Sequence, residues 1–188
     1  MTSRLPEFAD LLSPLDDRAR EALETTIRTV HFDKGDHVLA SGRVCRYIYF
    51  IEAGLTKTCF DNGDKEFIMR FFAEHSIFTV LDSYFQHTPS TYDIIALEPA
   101  TISYISKADM DELCDRHHSL ERFFRSLVTA ASINMMKRIS EMLEEDAKQR
   151  YDRFLVEQGQ LLKRISLADL ASYLGITQVS LSRIRAIR

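Results

Sequence analysis

The chain has 188 residues, of which 45% are hydrophobic, and a formal net charge of −4. This length and apolar content suffice for one or two domains with their own cores. The sequence has no long apolar run and carries Arg4, Glu7 and Asp10 near its start, which predicts neither a membrane span nor a signal peptide. We therefore expect a cytoplasmic protein with no membrane partner.

Cys45, Cys59 and Cys114 are widely spaced, which predicts reduced core thiols rather than disulfides, a zinc site or a four-cysteine iron–sulfur cluster. Haem ligation by His75 or His87 stays open, although single histidines near turns are usually solvated. A metal enzyme of the cupin type would need histidines at alternate strand positions, and the sequence has no His-x-His. We therefore predict no enzyme activity, no catalytic or metal-binding residues and no cofactor.

The residue pattern predicts helices first and then many short strands. Apolar residues recur at helical spacing over residues 6–30, with a break at Ser13-Pro14. From Thr29 to Ser106, β-branched and aromatic runs alternate with turn residues at roughly 8–12-residue spacing, which indicates an antiparallel roll or jelly-roll. The strongest hairpin signal is the segment Asp61-Asn62-Gly63-Asp64. A short helix is expected near residues 81–85.

A long helix is predicted over residues 120–142, which contain neither proline nor glycine. Its apolar positions cover about half of the circumference, wider than the roughly 100° stripe that one packing surface needs. We expect one part to rest on the roll and another to pair with a second copy as a parallel coiled coil; a helix buried within one chain is the alternative. The predicted dimer-interface residues are Phe124, Val128, Ala131, Met135, Ile139 and Met142.

Residues 165–188 read ISLADLASYLGITQVSLSRIRAIR and contain the most specific motif. Ser166 and Asp169 have the spacing of a capping box, so a helix should begin there. Its expected buried stripe is Leu167, Leu170, Ala171 and Leu174. Gly175 can adopt the left-handed conformation that ends a helix, and Thr177 can cap the next one. The pattern predicts a helix-turn-helix, with an ordinary helical hairpin as the alternative.

Leu181 and Ile184 would form the buried seam of the second helix, leaving the opposite face for the major groove of DNA. Arg183 is expected to contact guanine and Val179 a thymine methyl group. Residues 161–188 hold five basic residues and one acidic residue within an acidic chain, which is typical of a nucleic-acid-binding segment. The predicted DNA-binding residues, all in the helix at 177–188, are Thr177, Gln178, Val179, Ser180, Ser182, Arg183, Arg185 and Arg188.

This order of parts resembles the Crp/Fnr family of bacterial transcription regulators along nearly the whole chain. The resemblance rests on Phe32-x-Lys34-Gly35-Asp36, Ile48-Tyr49-Phe50-Ile51-x-x-Gly54, Gly63-x-Lys65-Glu66 and the LASYLGIT…LSRI run. It implies a dimer whose effector domain biases the DNA-binding part between two orientations. Relatives commonly carry Glu where Val179 stands, and many have a terminal β-hairpin that this sequence lacks, so we expect no wing contact to DNA.

The effector region departs from the family's cyclic-nucleotide pattern, in which a Gly-Glu pair binds the ribose and an arginine holds the phosphate. The matching positions here are Thr79-Val80 and Ser90-Thr91, and residues 71–106 contain no lysine or arginine. A buried phosphate would lack its charge-assisted partner, so binding of cyclic AMP in the usual way is not expected. The candidate pocket residues are Phe72, Phe78, Ser83, Tyr84, Ser90, Thr91 and Tyr92. The alternative is that the aromatic members simply fill the roll.

The predicted fold class is α+β: an N-terminal antiparallel β-roll with flanking helices, a long dimerisation helix and a C-terminal helix-turn-helix. The expected domains are residues 1–118, 119–145 and 146–188. The predicted function is a homodimeric regulator of transcription that binds palindromic operator DNA, with double-stranded DNA and RNA polymerase as partners and an unknown small-molecule effector. Alternatives are a cyclic-nucleotide-responsive regulator and a sensory module that signals to a protein partner.

Overall fold

A computed structural model describes residues 3–63 and 65–186, and it begins with two short helices. Helix α1 spans Leu5–Leu12 and α2 spans Asp17–Thr26, with the predicted break at Ser13-Pro14 between them. Asp16 caps α2, because its carboxylate accepts a hydrogen bond from the Ala19 amide at 2.9 Å. The helical prediction was too long at its end: residues 28–30 are strand, because β-branched residues from Thr25 onward favour an extended backbone that pairs with the sheet.

Eight strands form the predicted antiparallel roll. They are β1 (Arg28–Phe32), β2 (His37–Leu39), β3 (Tyr47–Ala53), β4 (Thr56–Asp61), β5 (Glu66–Phe72), β6 (Ile77–Phe78), β7 (Asp93–Ala96) and β8 (Ala100–Ser106). They make two four-stranded sheets, with the orders β1-β8-β3-β6 and β2-β7-β4-β5. Every pairing between these strands is antiparallel. The buried side chains of Ile51, Ile94 and Ile102 lie in the core between the sheets.

Gly54 shows why one motif glycine is needed. It joins β3 to β4 at φ +99°, a conformation that L side chains rarely adopt. A Cβ atom there would lie 2.7 Å from the Cα of Ala100 and from the carbonyl oxygen of Pro99. The turn therefore needs glycine both for its backbone angle and for the close approach of β8.

The remaining helices follow and surround the roll. They are α3 (Leu81–Gln86), α4 (Lys107–Arg116), α5 (His118–Glu144), α6 (Ala147–Gln158), α7 (Leu167–Leu174) and α8 (Gln178–Ala186), with a 3-10 turn at Gly159–Lys163. The first half of α5 packs on α1, α2 and the roll through Leu120 and Phe123, which are fully buried. Helix α5 ends where Glu145 becomes extended, and Asp146 begins α6 with a capping box. No helix within the described residues is long and apolar enough to cross a membrane.

The C-terminal helices share a hydrophobic core with the outer sheet of the roll. Phe71 on β5 contacts Tyr173 of α7 and Phe154 of α6, with ring centroids 5.3 and 6.4 Å apart. Phe154 and Tyr173 contact each other at 5.5 Å. Each of these rings is less than 10% exposed, so their mutual burial contributes on the order of several kcal/mol to holding the two parts together.

Ion pairs surround this shared core. Arg164 binds both oxygens of Glu74 through two nitrogens at 2.8 Å and also contacts Glu98. Lys57 on β4, whose side chain is largely buried, binds Glu66 at 2.6 Å and Asp169 of α7 at 3.0 Å. The hydrogen bonds from Arg164 lower the pKa of Glu74 to about 2. Opposite charges thus join the roll to the C-terminal helices on both sides of the aromatic contact.

The lowered pKa of Glu74 predicts a pH-dependent contribution to stability. A carboxyl group whose pKa falls on folding stabilises the protein above its unfolded pKa of 4.5, and this contribution is lost as the pH falls towards 2. Glu74→Gln should therefore lower the free energy of unfolding by about 1 kcal/mol at pH 7, a value reduced for the partial exposure of the pair. Denaturant unfolding should show this difference shrinking at pH 3.

The control is Glu112→Gln, which removes an exposed pair with Arg116 on α4 and should have little effect at either pH. An equal loss of stability for Glu74→Gln at pH 7 and pH 3 would show that the pair with Arg164 does not act through the charge of the carboxylate.

Candidate nucleic-acid interface

Helix α7 begins and ends at the residues that the sequence predicts. The Asp169 amide donates to the Ser166 hydroxyl at 3.0 Å, and the Ser166 amide donates to the Asp169 carboxylate at 3.3 Å. Leu170 and Leu174 are buried against β5 and α8. Leu167 was wrongly placed in this buried stripe: it is 47% exposed, because the packed face of α7 includes Tyr173 instead.

The turn after α7 depends on Gly175, which has a left-handed backbone at φ +69°. Its amide donates to the carbonyl oxygen of Ser172 at 3.1 Å, and the Ile176 amide donates to that of Ala171 at 3.0 Å. A Cβ on Gly175 would lie 3.0 Å from the terminal methyl group of Met142 on α5. The turn is therefore tight and also lies against the long helix.

Helix α8 has one buried seam and one exposed face. The Thr177 hydroxyl accepts a hydrogen bond from the Ser180 amide at 3.1 Å, which caps the helix. Leu181 is buried and Ile184 is half-buried in the shared core. The predicted DNA-binding residues that are exposed are Thr177, Gln178, Val179, Ser182, Arg183 and Arg185, while Ser180 is half-buried. The predicted contact Arg188 lies outside the described residues.

This exposed face can make the contacts that base recognition needs. The side chains of Val179 and Arg183 lie four residues apart, about one helical turn, and are directed to the same side. Arginine can bind guanine with two hydrogen bonds, and an aliphatic side chain can contact a thymine methyl group. No printed ion pair or hydrogen bond within the described residues occupies the Arg183 guanidinium, which agrees with a group free to contact a ligand.

The second half of α5 exposes an apolar strip. Met135, Ile139 and Met142, all predicted dimer residues, are between 41% and 53% exposed. Val128 and Ala131 are half-buried. Met136, on the adjoining side, is 70% exposed. This amount of exposed apolar surface on one helix is characteristic of a helix that packs against a partner.

Phe124, also predicted at the dimer interface, contacts its own chain. Its ring lies 6.3 Å from that of Tyr84 and 6.0 Å from that of Phe85, the two aromatic residues of α3. The sequence places Phe124 and Val128 on one helix face, but the structure shows that the roll covers the start of that face. The exposed strip is thus concentrated beyond residue 130.

Two serines predicted in the effector pocket use their hydroxyl groups within the fold. Ser83 accepts from the Cys45 amide at 2.8 Å and donates to the Thr88 carbonyl at 2.6 Å. The Ser90 hydroxyl donates to the Tyr92 carbonyl and accepts from the Tyr92 amide, both at 2.9 Å. Both serines are buried, whereas Thr91 is exposed. A ligand that used either serine would have to replace these hydrogen bonds.

The aromatic members of the predicted pocket pack on one another and on neighbouring strands. The rings of Phe72 and Phe78 stack at 4.2 Å, and Phe78 stacks on Tyr49 at 5.5 Å. Tyr84 is fully buried, and its hydroxyl has no hydrogen-bond partner in the structure. Tyr92 is half-buried and meets the Phe60 ring edge-on at 5.8 Å. The space that these rings occupy inside the roll is therefore filled by side chains.

Two surface clefts lie elsewhere. One of 390 Å³ is lined by residues of α4 and α5, including Cys114 and Arg125. Another of 180 Å³ lies between Lys65 and Phe67 of the β4–β5 hairpin and the turn at Gly175. Among residues 3–63 and 65–186, no group of three His, Cys, Asp or Glu side chains is arranged to hold a metal ion.

Sequence reasoning missed the residues that orient α7. Arg138 of α5 and Arg150 of α6 donate to its last two carbonyl groups, and the Ser172 hydroxyl donates to the Glu66 carbonyl of β5 at 2.7 Å. These contacts join residues 24 to 106 positions apart. A local signal existed only for Arg138, a charged residue between the apolar positions Met135 and Ile139.

The comparisons with known proteins cover both parts of this architecture. Residues 29–117 match the family model of the cyclic nucleotide-binding domain. No curated protein sequence matches the chain.

Several solved structures are similar to nearly the whole chain. A transcriptional regulator of Eubacterium rectale assigned to the Crp/Fnr family has a TM-score of 0.71 at 15% identity, covering 90% of this chain and 82% of its own. FixK2 of Bradyrhizobium japonicum has a TM-score of 0.71 at 14% identity, covering 85% and 83%. The c-di-GMP-responsive global regulator CLP of Xanthomonas campestris has a TM-score of 0.67 at 15% identity, covering 90% and 89%.

The match to the family model and the shared fold agree with each other. Both include the roll and the long helix that follows it, and the solved structures extend over the C-terminal helices. Residues 29–117 are thus a member of the cyclic nucleotide-binding domain family, and the chain as a whole has the fold of the Crp/Fnr regulators.

Proposed function

We propose that the protein is a homodimeric regulator of transcription that reads palindromic DNA in the cytoplasm through α8. The observation that carries this proposal is the exposed face of α8, with Val179 and Arg183, on a helix capped by Thr177 and buried through Leu181. A helix-turn-helix places the N-terminal part of its second helix in the major groove in the same way. The shared fold with Crp/Fnr regulators supports the proposal. Activation of a promoter would add RNA polymerase as a partner.

Dimerisation is part of the same proposal. The exposed strip of α5 would pair with that of a second copy as a parallel coiled coil, with Val128, Met135, Ile139 and Met142 at the spacing of alternating core positions. A two-fold dimer presents two α8 helices, and two-fold symmetry requires that the preferred DNA site be a palindrome.

The test of the proposed function is selection from a pool of random duplexes by the full chain, followed by sequencing of the bound fraction. The proposal expects an enriched palindrome whose half-sites are about one helical turn apart, 10–10.5 base pairs or a multiple. Recovery of unenriched DNA would reject sequence-specific recognition and favour a sensory module that signals to a protein partner.

Arg183→Ala should lower the affinity for the selected duplex by about 1–3 kcal/mol and relax the preference at one base pair of each half-site. Arg185→Ala, proposed to contact phosphate, is the matched comparison: it should weaken binding equally across sequences and reduce the salt slope by roughly 0.9 per phosphate lost. Titration of both variants at two salt concentrations separates the roles. Identical sequence preferences for Arg183→Ala and the unmodified protein would contradict base reading by Arg183.

Ile139→Glu should convert the dimer to a monomer at micromolar concentration, because it introduces a charge into the middle of the proposed seam. The control is Ile133→Glu: Ile133 is 61% exposed on the same helix, but its direction lies more than 100° from that of Ile139. Sedimentation equilibrium measures both. A dimer that survives Ile139→Glu, or that is equally lost in the control, would place the interface elsewhere.

The effector domain is proposed to act without cyclic AMP bound in the usual way. The hydroxyl groups of Ser83 and Ser90 are satisfied by backbone groups, and residues 71–106 supply no cation for a phosphate. The match to the cyclic nucleotide-binding domain family keeps a nucleotide-responsive regulator as the second candidate. Cyclic AMP at 1 mM, an arbitrary excess on the order of typical metabolite-site affinities, should change neither the unfolding temperature nor DNA binding; a rise in both would favour the second candidate.

A further inference from the structure

The second half of α5 has two faces with different surroundings. Its apolar strip is exposed, whereas Asn134, Arg138 and Glu141 lie on the side of their own C-terminal helices. Arg138 is only 8% exposed, although residues 132–137 and 139–140 around it are all exposed. A charged side chain buried at this place must have specific partners.

The partners of Arg138 are all on one side. Its guanidinium carbon lies 4.0 Å from the centre of the Tyr173 ring, in cation–π geometry. One nitrogen donates to the backbone carbonyl of Tyr173 in a buried hydrogen bond, and another contacts the Glu141 carboxylate at 3.4 Å. The side chain therefore binds both the ring and the backbone of one α7 residue.

The Tyr173 carbonyl is one of the last four of α7, which have no partner within a helix. The turn satisfies the first two, since the Gly175 amide donates to the carbonyls of both Ala171 and Ser172. Arg138 satisfies Tyr173, and Arg150 of α6 satisfies Leu174 at 3.0 Å. Two cations are thus bound at the negative end of the α7 dipole, where positive charge is favourable.

These two arginines connect the long helix to the helix-turn-helix. Arg150 also donates to the backbone carbonyl of Glu145, at the junction between α5 and α6. Met142 of α5 contacts the turn at Gly175. The direction of α7, and of α8 with which it packs, is therefore determined relative to α5 by contacts at the C-terminal end of α7.

We propose that Arg138 is a positioning residue for DNA reading: its contacts with Tyr173 set the angle between the dimerisation helix and α8, and so the distance between the two α8 helices of a dimer. This inference rests on the proposed function. Arg138 contacts no DNA itself. Its loss should leave the recognition of one half-site intact and change only the spacing at which two half-sites are bound together.

The test uses the full chain and a set of duplexes that carry the selected palindrome with its half-sites moved apart or together by one, two or three base pairs, and a duplex with one half-site. For Arg138→Ala we expect affinity for the best spacing to fall about tenfold, the scale of losing one charge-assisted hydrogen bond. Affinity for neighbouring spacings and for the single half-site should change less than about twofold, so the preference for one spacing is largely lost.

Arg138→Lys should restore the spacing preference only in part, because an ammonium group keeps the charge but cannot both stack on Tyr173 and donate in the same geometry. The control Arg125→Ala removes an exposed arginine of α5 that pairs with Glu121, and it should behave as the unmodified protein. Circular dichroism and sedimentation check that each variant is folded and dimeric. Should Arg138→Ala not fold, Arg138→Gln, which keeps length and donors but not charge, takes its place with the same expected result.

An Arg138 variant that is folded and dimeric and keeps the full spacing preference would overturn the inference and leave the proposed function standing. Equal loss on the single half-site and on every spacing would also overturn it, because Arg138 would then support the fold of the reading helix rather than its position. If the unmodified protein selects no palindrome, the proposed function fails and this inference fails with it.

Discussion

The burial of Phe71 against Phe154 and Tyr173 is the contact on which the arrangement of the whole molecule depends. It makes the outer sheet of the roll and the C-terminal helices parts of one core, and the ion pairs of Arg164 and Lys57 enclose it. A reading helix attached only through a flexible segment would sample many directions. Here the apolar contact restricts α7, and through α7 it restricts the exposed face of α8.

The effector domain has kept its fold while its interior is occupied by side chains. The stacked rings of Phe72 and Phe78 and the backbone hydrogen bonds of Ser83 and Ser90 fill the positions where the resemblance places a ligand. A charged ligand would have to replace several satisfied contacts without a cation in return. In this account the roll serves chiefly as the rigid base on which α5 and the C-terminal helices are held.

Features with a local cause could be predicted from the sequence, and those that depend on distant contacts could not. The capping box of Ser166 and the turn at Gly175 depend on neighbouring residues, and both are where they were expected. The helix predicted as far as Val30 is wrong, because pairing with β8 decides the conformation of that segment. Leu167 was misplaced for a similar reason. The roles of Arg138 and Arg150 follow from the position of α7 against α5 and α6, which no spacing within one helix reveals.

The measurement that tests the central claim most directly is amide hydrogen exchange of the full chain with and without a selected duplex. The account predicts that DNA protects the amides of residues 177–186, while the second half of α5 is already protected in the free protein by pairing with a second copy. Exchange in α8 that is unchanged by DNA, or protection that appears on the roll instead, would contradict reading through α8.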